Sequence, residues 1–286
     1  MTNTELWELI RAISMGGDMD IFHMANSNSD SLKAGYDSLR EKCQEHSDLS
    51  TLEEFTELVK DEWAVSINMR QSGINGFLES GRYNNVHELK KNEEERREHL
   101  KGYYELRMAF DFTFEDGGKL KYGALNVGGL GADKFGDYCV VFGQENMESY
   151  STLAFVKEDS LRYVDANHTV DIKRLEQDTA NRGCVHFLTA LKHGGDLESD
   201  IASEWASVIC CEANYTEAVT ADDILNTHID VVRISEQKSK YFENLLERNL
   251  FSELSDPDKY RLEVLGKVRN LLEQQGIELE VLSDGD

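Results

Sequence analysis

The stretch Trp63–Tyr83, WAVSINMRQSGINGFLESGRY, decides how the chain is read. Val65, Ile67 and Met69 alternate with Ser66, Asn68 and Arg70, so a period-two strand buries the first set and turns the second the other way. The strand runs out on a permanent charge, and a small-residue turn then leads into a short segment that closes on Tyr83. Arg70 is either an ordinary surface charge or a site residue, and its neighbours in space decide between the two.

Upstream, Leu6, Leu9, Ile10 and Ile13 share one helical face, as do Leu32, Tyr36, Leu39 and Cys43. Ser50 and Glu53 form a capping box ahead of Leu52, Phe55, Leu58 and Val59, which predicts a third helix. The polar run 26–31 reads as a loop, and the three helices as one packed subassembly.

Downstream, 88–101 is almost wholly charged and reads as a solvated helix. Arg107–Phe114 alternates aromatic with polar residues and ends at Gly117-Gly118, which predicts a strand closing in a hairpin turn. Further strands are expected at 122–127, 137–142, 150–156, 160–165, 206–213 and 229–234, with a helical insertion near 171–204. Helices follow from Lys238 to Leu250 and from Asp256-Pro257, the second with an apolar face of Val264, Leu265, Val268, Leu271 and Leu272 and a capping Gly276. The acidic tail is expected to be loose. Strands in runs, with helices set apart, predict an α+β fold and not a βαβ winding. The expected organisation is 1–63 helical, 64–236 a sheet-bearing core and 237–286 helices packed on it.

The 286 residues carry 55 acidic against 30 basic side chains, a formal charge of −25. Such a chain is a poor neutraliser of phosphate backbones, so no nucleic acid is expected and basic or neutral protein partners fit better. Five cysteines without CxxC spacing fit a reducing compartment. No apolar run reaches the length of a membrane span, and the first residues lack a basic and then apolar leader, so no membrane is expected and the mature chain is expected to start at Met1. GGLGADKFG (128–136) lacks GxGxxG spacing and precedes a strand, which makes it a loop. No P-loop, HExxH or GxSxG occurs, and His186 and His193 are badly spaced for a shared metal, so no metal site is expected.

What remains is polar residues at strand ends: Arg70, then Ser151 and Thr152, then Glu212 after the apolar run Val208–Cys211. A carboxylate ending a buried strand has to be paired, hydrogen-bonded or functional. Together the three residue types supply an anion clamp, an orienting hydroxyl and a charge that stabilises a developing cation.

The order arginine, Ser-Thr-x-x-Phe, glutamate resembles the mono-ADP-ribosyltransferases of the arginine–serine–glutamate type. SINMR with LESGRY, KYGALNV with KFGDYCVVF, STLAFVKEDSL, and CEANYTEAVTADDI resemble a bacterial subgroup, the CteC-like effectors that ADP-ribosylate threonine of host ubiquitin. The likeness covers about Ala64 to Ser235. It implies a split mixed β-sheet core carrying helical additions at both ends, with NAD as the substrate. It implies that Arg70 contacts the phosphates or ribose of NAD and that Ser151, beside Thr152, bonds the carboxylate or the ribose. Glu212 would then steady the oxocarbenium-like ion as nicotinamide leaves. Tyr83, Tyr122, Asn126 and Phe155 are the further NAD-binding residues it implies. Arginine-modifying members carry glutamate or glutamine two positions before the catalytic glutamate; here that position is Cys210, which favours a hydroxyl acceptor. Glu217 is the alternative carboxylate, and Glu212 is preferred because it continues a strand. The expectation is a monomeric transferase, made in a bacterial cytoplasm, exported and delivered to the host cytosol, whose acceptor is ubiquitin. An NAD glycohydrolase, or a non-catalytic acidic binding protein on the same fold, are the alternatives.

Overall fold

The computed structural model describes residues 19–46, 48–194, 204–210, 214–251 and 254–283. The helix expected at Leu6–Ile13 lies outside them. Helices α1 (Ile21–Ser27), α2 (Ser29–His46) and α3 (Leu49–Glu62) come first. The run 26–31, expected as a loop, is mostly helical and holds the break between α1 and α2. Helix α3 starts one residue before Ser50, after Asp48, so the Ser50–Glu53 box does not cap it. Its buried face is Thr51, Leu52, Phe55, Thr56 and Val59.

Strand β1 (Ala64–Met69) forms as expected, with Val65, Ile67 and Met69 in the main apolar cluster. Arg70 ends it, and the turn expected next is helix α4 (Gln71–Ser80). Two short helices, α5 (Val86–Leu89) and α6 (Glu93–Leu100), replace the single charged helix. Helix α7 (Tyr104–Asp111) occupies most of the expected hairpin strand. The aromatic alternation misled there, because Tyr104, Met108 and Asp111 also recur at helical spacing and are buried along with Ala109 and Phe110.

Strands β2 (Lys121–Asn126) and β3 (Tyr138–Phe142) follow, then helix α8 (Gln144–Met147) and a β4 that keeps only Ala154–Val156. The strand expected at 160–165 is a 3₁₀ turn, Ser160–Tyr163. Helix α9 (Ile172–Gln177), strand β5 (Thr179–Asn181) and helix α10 (Val185–His193) come next. The strand expected at 206–213 is instead helix α11, Trp205–Ile209, whose Trp205 and Ile209 are buried one turn apart. Then come β6 (Glu217–Thr220), β7 (Val231–Ser235), α12 (Glu236–Phe251), α13 (Asp256–Gln275) and β8 (Glu278–Leu282). Pro257 sits in the first turn of α13 and Gly276 caps it. The segment expected to be loose therefore contains a strand.

The eight strands form one mixed sheet, ordered β5-β4-β6-β2-β1-β3-β7-β8. Every neighbouring pair is antiparallel except β7 and β8. The α+β expectation holds. β1 and β2 pair only through Ala64–Ser66 and Ala124–Asn126. Beyond that point β1 continues on β3 alone and β2 on β6 alone, so the sheet forks. One face packs against Phe55 of α3, Ile74 and Phe77 of α4, Leu188 of α10 and Val268 of α13. On the other face, at the β4–β6 end, Val156 and Val219 meet Ile21 and Met24 of α1 and Phe110 of α7.

Candidate functional site

Helix α7 carries an arginine and an aspartate one turn apart, Arg107 and Asp111, and both point at the sheet. The Arg107 guanidinium lies 3.7 Å from the centre of the Tyr122 ring on β2. Its Nη1 is 3.7 Å from Asp111 Oδ1, and its Nη2 is 3.9 Å from Glu217 Oε1. Asp111 is 1% exposed at its side chain, accepts the Tyr122 hydroxyl on Oδ1, and holds His87 Nε2 at 2.7 Å on Oδ2.

Glu217 opens β6 and lines up with Ala124 of β2 and Val156 of β4. The backbone N–H of Ser160 donates to Glu217 Oε2 at 2.9 Å, and Arg107 Nη1 donates to the Ser160 hydroxyl at 3.3 Å. Tyr215, two residues before Glu217, donates its hydroxyl to Asp159 at 2.9 Å. Arginine, serine and glutamate therefore meet, but they are Arg107, Ser160 and Glu217.

Burial is the largest influence on the Glu217 carboxyl. With Asp159 it outweighs Arg107 and the Ser160 N–H, and the pKa is pushed up to about 7. Burial also works against the Arg107 charge, but Tyr122, Asp111, Glu217 and Asp159 prevail and raise its pKa. The phenols of Tyr122 and Tyr215 are raised, first by burial and then by the neighbouring carboxylates. Tyr83 is raised by burial too, with Arg107 opposing. One permanent cation thus serves two buried carboxyls, an arrangement in which the less supported one keeps its proton near neutral pH.

The other expected site residues scatter. Ser151 donates its hydroxyl to Asp222 at 3.0 Å, and Thr152 gives Asp222 both its N–H (2.6 Å) and its hydroxyl (2.7 Å). Asp222 lies five residues beyond Glu217, on the order of 15 Å along the chain, so neither hydroxyl serves that carboxylate. Asn126 is fully buried and takes the N–H groups of Gly128 and Gly129, each at 2.9 Å, which folds the glycine loop. Phe155 is core, edge-on to Trp63. Tyr83 packs edge-on to Phe77. Tyr122 and Glu217 are the two expected residues brought together. Glu212 lies outside the described residues. The premise for preferring it, a continuing strand, is removed by helix α11.

Arg70 is exposed at the end of β1 and has no side-chain ion pair among the described residues. With Gln71, Ser72, Asp133, Lys134 and Tyr260 it lines a cavity of about 360 Å³. A second cavity, of about 340 Å³, shares Asp133 and Asp137 and is walled by Lys238 and Tyr241. The glycine loop lines this groove through Leu130, Asp133, Lys134 and Gly136. Gly136 lies so close to β1 that a Cβ there would sit 2.0 Å from the Met69 carbonyl carbon. Gly131 adopts φ +66 above Asn68, whose side-chain amide donates to the Leu130 carbonyl at 2.9 Å. Phe135 packs edge-on against Tyr215, so the turn that lines the groove also touches the residue bonded to Asp159.

Arg107, Asp111, Ser160 and His87 went unselected in the sequence. The i, i+4 spacing of Arg107 and Asp111 was the available signal, and the strand reading of that run hid it.

Among the described residues no helix is long and apolar enough to cross a membrane, and no three His, Cys, Asp or Glu side chains are grouped to hold a metal ion. No protein-family model matches the chain, and no curated protein matches it at a significant level.

Proposed function

We propose that the chain is a mono-ADP-ribosyltransferase that moves ADP-ribose from NAD to a hydroxyl side chain of a protein. The observation that carries this reading is the meeting of Arg107 and Ser160 at Glu217, a carboxyl titrating near neutral pH. The mixed sheet that forks between β1 and β2 is compatible with the split sheet the sequence resemblance implies. In the ionised state Glu217 faces the ribose as the bond from its anomeric carbon to the nicotinamide nitrogen breaks. The electron pair leaves on that nitrogen, nicotinamide departs neutral, and the carboxylate offsets the positive charge left on the ribose. The acceptor oxygen then bonds the same carbon and gives its proton to solvent. Arg70, exposed beside a ligand-sized cavity and without an ion pair among the described residues, suits the pyrophosphate. Glu217 is 2% exposed, so the elements around it have to open for a substrate to reach it.

Ubiquitin threonine is the acceptor that the resemblance suggests, with a host cytosol as the place of action. Incubation with labelled NAD and ubiquitin, and separately with a cell lysate, tests the reading. Label on ubiquitin supports both substrate and class, and label on another protein replaces the substrate. Nicotinamide release without label makes the chain a glycohydrolase. No release in any arm ends the enzyme reading. Glu217→Gln is expected to lose about a thousandfold in rate; loss with Glu212→Ala and not with Glu217→Gln would move the catalytic role to Glu212.

A further inference from the structure

One buried partnership has no part in that chemistry. His87 of α5 (Val86–Leu89) places Nε2 2.7 Å from Asp111 Oδ2, and its side chain is 13% exposed where that of Asp111 is 1%. We propose that His87 is a positioning residue for Glu217, acting through Asp111 to set how much of the Arg107 charge faces the glutamate. The proposal rests on the reading of Glu217 as the working carboxyl.

The geometry makes Arg107 a shared cation. It stands 3.7 Å from Asp111 and 3.9 Å from Glu217, beyond hydrogen-bond length to either. It cannot swing wholly toward one of them, because it is stacked on Tyr122 and donates to the Ser160 hydroxyl. Asp111 has two further partners, and the Tyr122 hydroxyl is neutral. Among the described residues His87 is the partner that can bring Asp111 a second positive charge, since an imidazole can carry one. When His87 is charged, Asp111 is matched and Arg107 is left to face Glu217, which favours the carboxylate. When His87 is neutral, one guanidinium faces two carboxyls, and Glu217 holds its proton. The charge on His87 therefore sets the share of the guanidinium left to Glu217.

The other groups around Glu217 are Tyr122 from β2, Asp159 from the turn after β4, Tyr215 from the approach to β6, and Lys192 from α10, whose Nζ donates to the Tyr215 carbonyl at 2.8 Å. Asp159 is occupied by the Tyr215 hydroxyl and the Leu161 N–H. Lys192 is spent on backbone carbonyls that include Lys157 and Tyr215. On the His87 side, Glu88 and Arg82 pair with each other.

The test is a carboxyl carbon NMR titration of glutamate-labelled protein without NAD, with the Glu217 resonance assigned by its loss in Glu217→Gln. His87→Gln keeps an N–H for Asp111 and carries no charge, so the Glu217 midpoint is expected to rise by about half a unit. His87→Lys keeps a permanent charge, so the midpoint is expected to fall below that of His87→Gln. Superimposable curves in the folded variants would reduce His87 to a hydrogen bond on Asp111 and overturn the proposal, as would a shift in the opposite sense. Because no NAD is present, the coupling is read independently of turnover. A moved midpoint in a chain that cleaves no NAD would keep the coupling and remove the transferase.

Discussion

The backbone N–H of Ser160 points at Glu217 Oε2 from 2.9 Å, so the turn after β4 holds the carboxyl that opens β6. A backbone donor is fixed by the fold and survives replacement of its own side chain by any residue but proline. The turn thus brings one neutral backbone contact to a group whose other partner, Arg107, is charged and shared.

Acidity is the first consequence. The folded pKa near 7 lies above the ordinary glutamate value of 4.5, so the folded chain holds this proton where the unfolded chain has released it. The stabilisation is complete below about pH 4.5 and is lost as pH rises to about 7, by roughly 3 kcal/mol in all. Urea unfolding at pH 5 and pH 8 should show a smaller difference for Glu217→Gln than for the wild type. Equal differences would mean that Glu217 titrates normally.

Removing the shared cation should be costly and non-additive. Arg107→Ala leaves Asp111 and Glu217 buried with their attraction gone, and a loss of about 3–5 kcal/mol is expected at pH 8. In the Arg107→Ala, Glu217→Gln double variant one of those charges is absent, so the combined loss should fall short of the sum by about 1–3 kcal/mol. Strict additivity in unfolding measurements would deny that the two side chains interact.

Ser151 and Thr152 should matter to stability and not to turnover. Thr152→Ala removes the hydroxyl that donates to Asp222 at 2.7 Å and accepts the Ala221 N–H at 3.0 Å, for a cost of about 2 kcal/mol. Ser151→Ala, losing one exposed bond to Asp222, should cost about 0.5 kcal/mol. Both should keep the wild-type rate of NAD cleavage in a nicotinamide-release assay. A hundredfold fall with Ser151→Ala would restore that serine to the site.

Gly136 of the glycine loop and Gly118 of the turn before β2 give a matched pair of substitutions. Gly136→Ala would drive a methyl into the Met69–Arg70 peptide, and about 3 kcal/mol of destabilisation is expected. Gly118→Ala meets nothing within 4 Å and should change stability little. Melting curves of the two variants check the contrast, and equal stability would mean that the loop does not rest on β1.

The parts of the fold legible in the sequence were those with one dominant period. β1 and β7 alternate, β3 is a short unbroken apolar run, and α12 and α13 carry long helical patterns, the second with Pro257 and Gly276 at its ends. The errors fell where two periods coexist. Arg107–Phe114 alternates aromatics and also stacks Tyr104, Met108 and Asp111 at helical spacing, and packing against the second sheet face favoured the helix. The apolar run before Glu212 is too short to separate strand from helix by pattern alone. The site suffered from the same fault. Glu217 was reachable as the second carboxylate of its stretch, but its partners come from a helix read as a strand and a turn read as a strand. Ser160 acts there through its backbone, which no residue type announces.

The parallel pairing of β7 with β8 bears on how the molecule is assembled during synthesis. Two helices, α12 and α13, separate the strands, so β7 leaves the ribosome well before its outer neighbour exists. Until α13 has docked on α4 and β8 has been laid down, Val231–Ser235 offers an unpaired edge to any extended chain nearby. Sheet completion is therefore a late, long-range event, which favours slow folding and makes that interval the time of greatest exposure to aggregation.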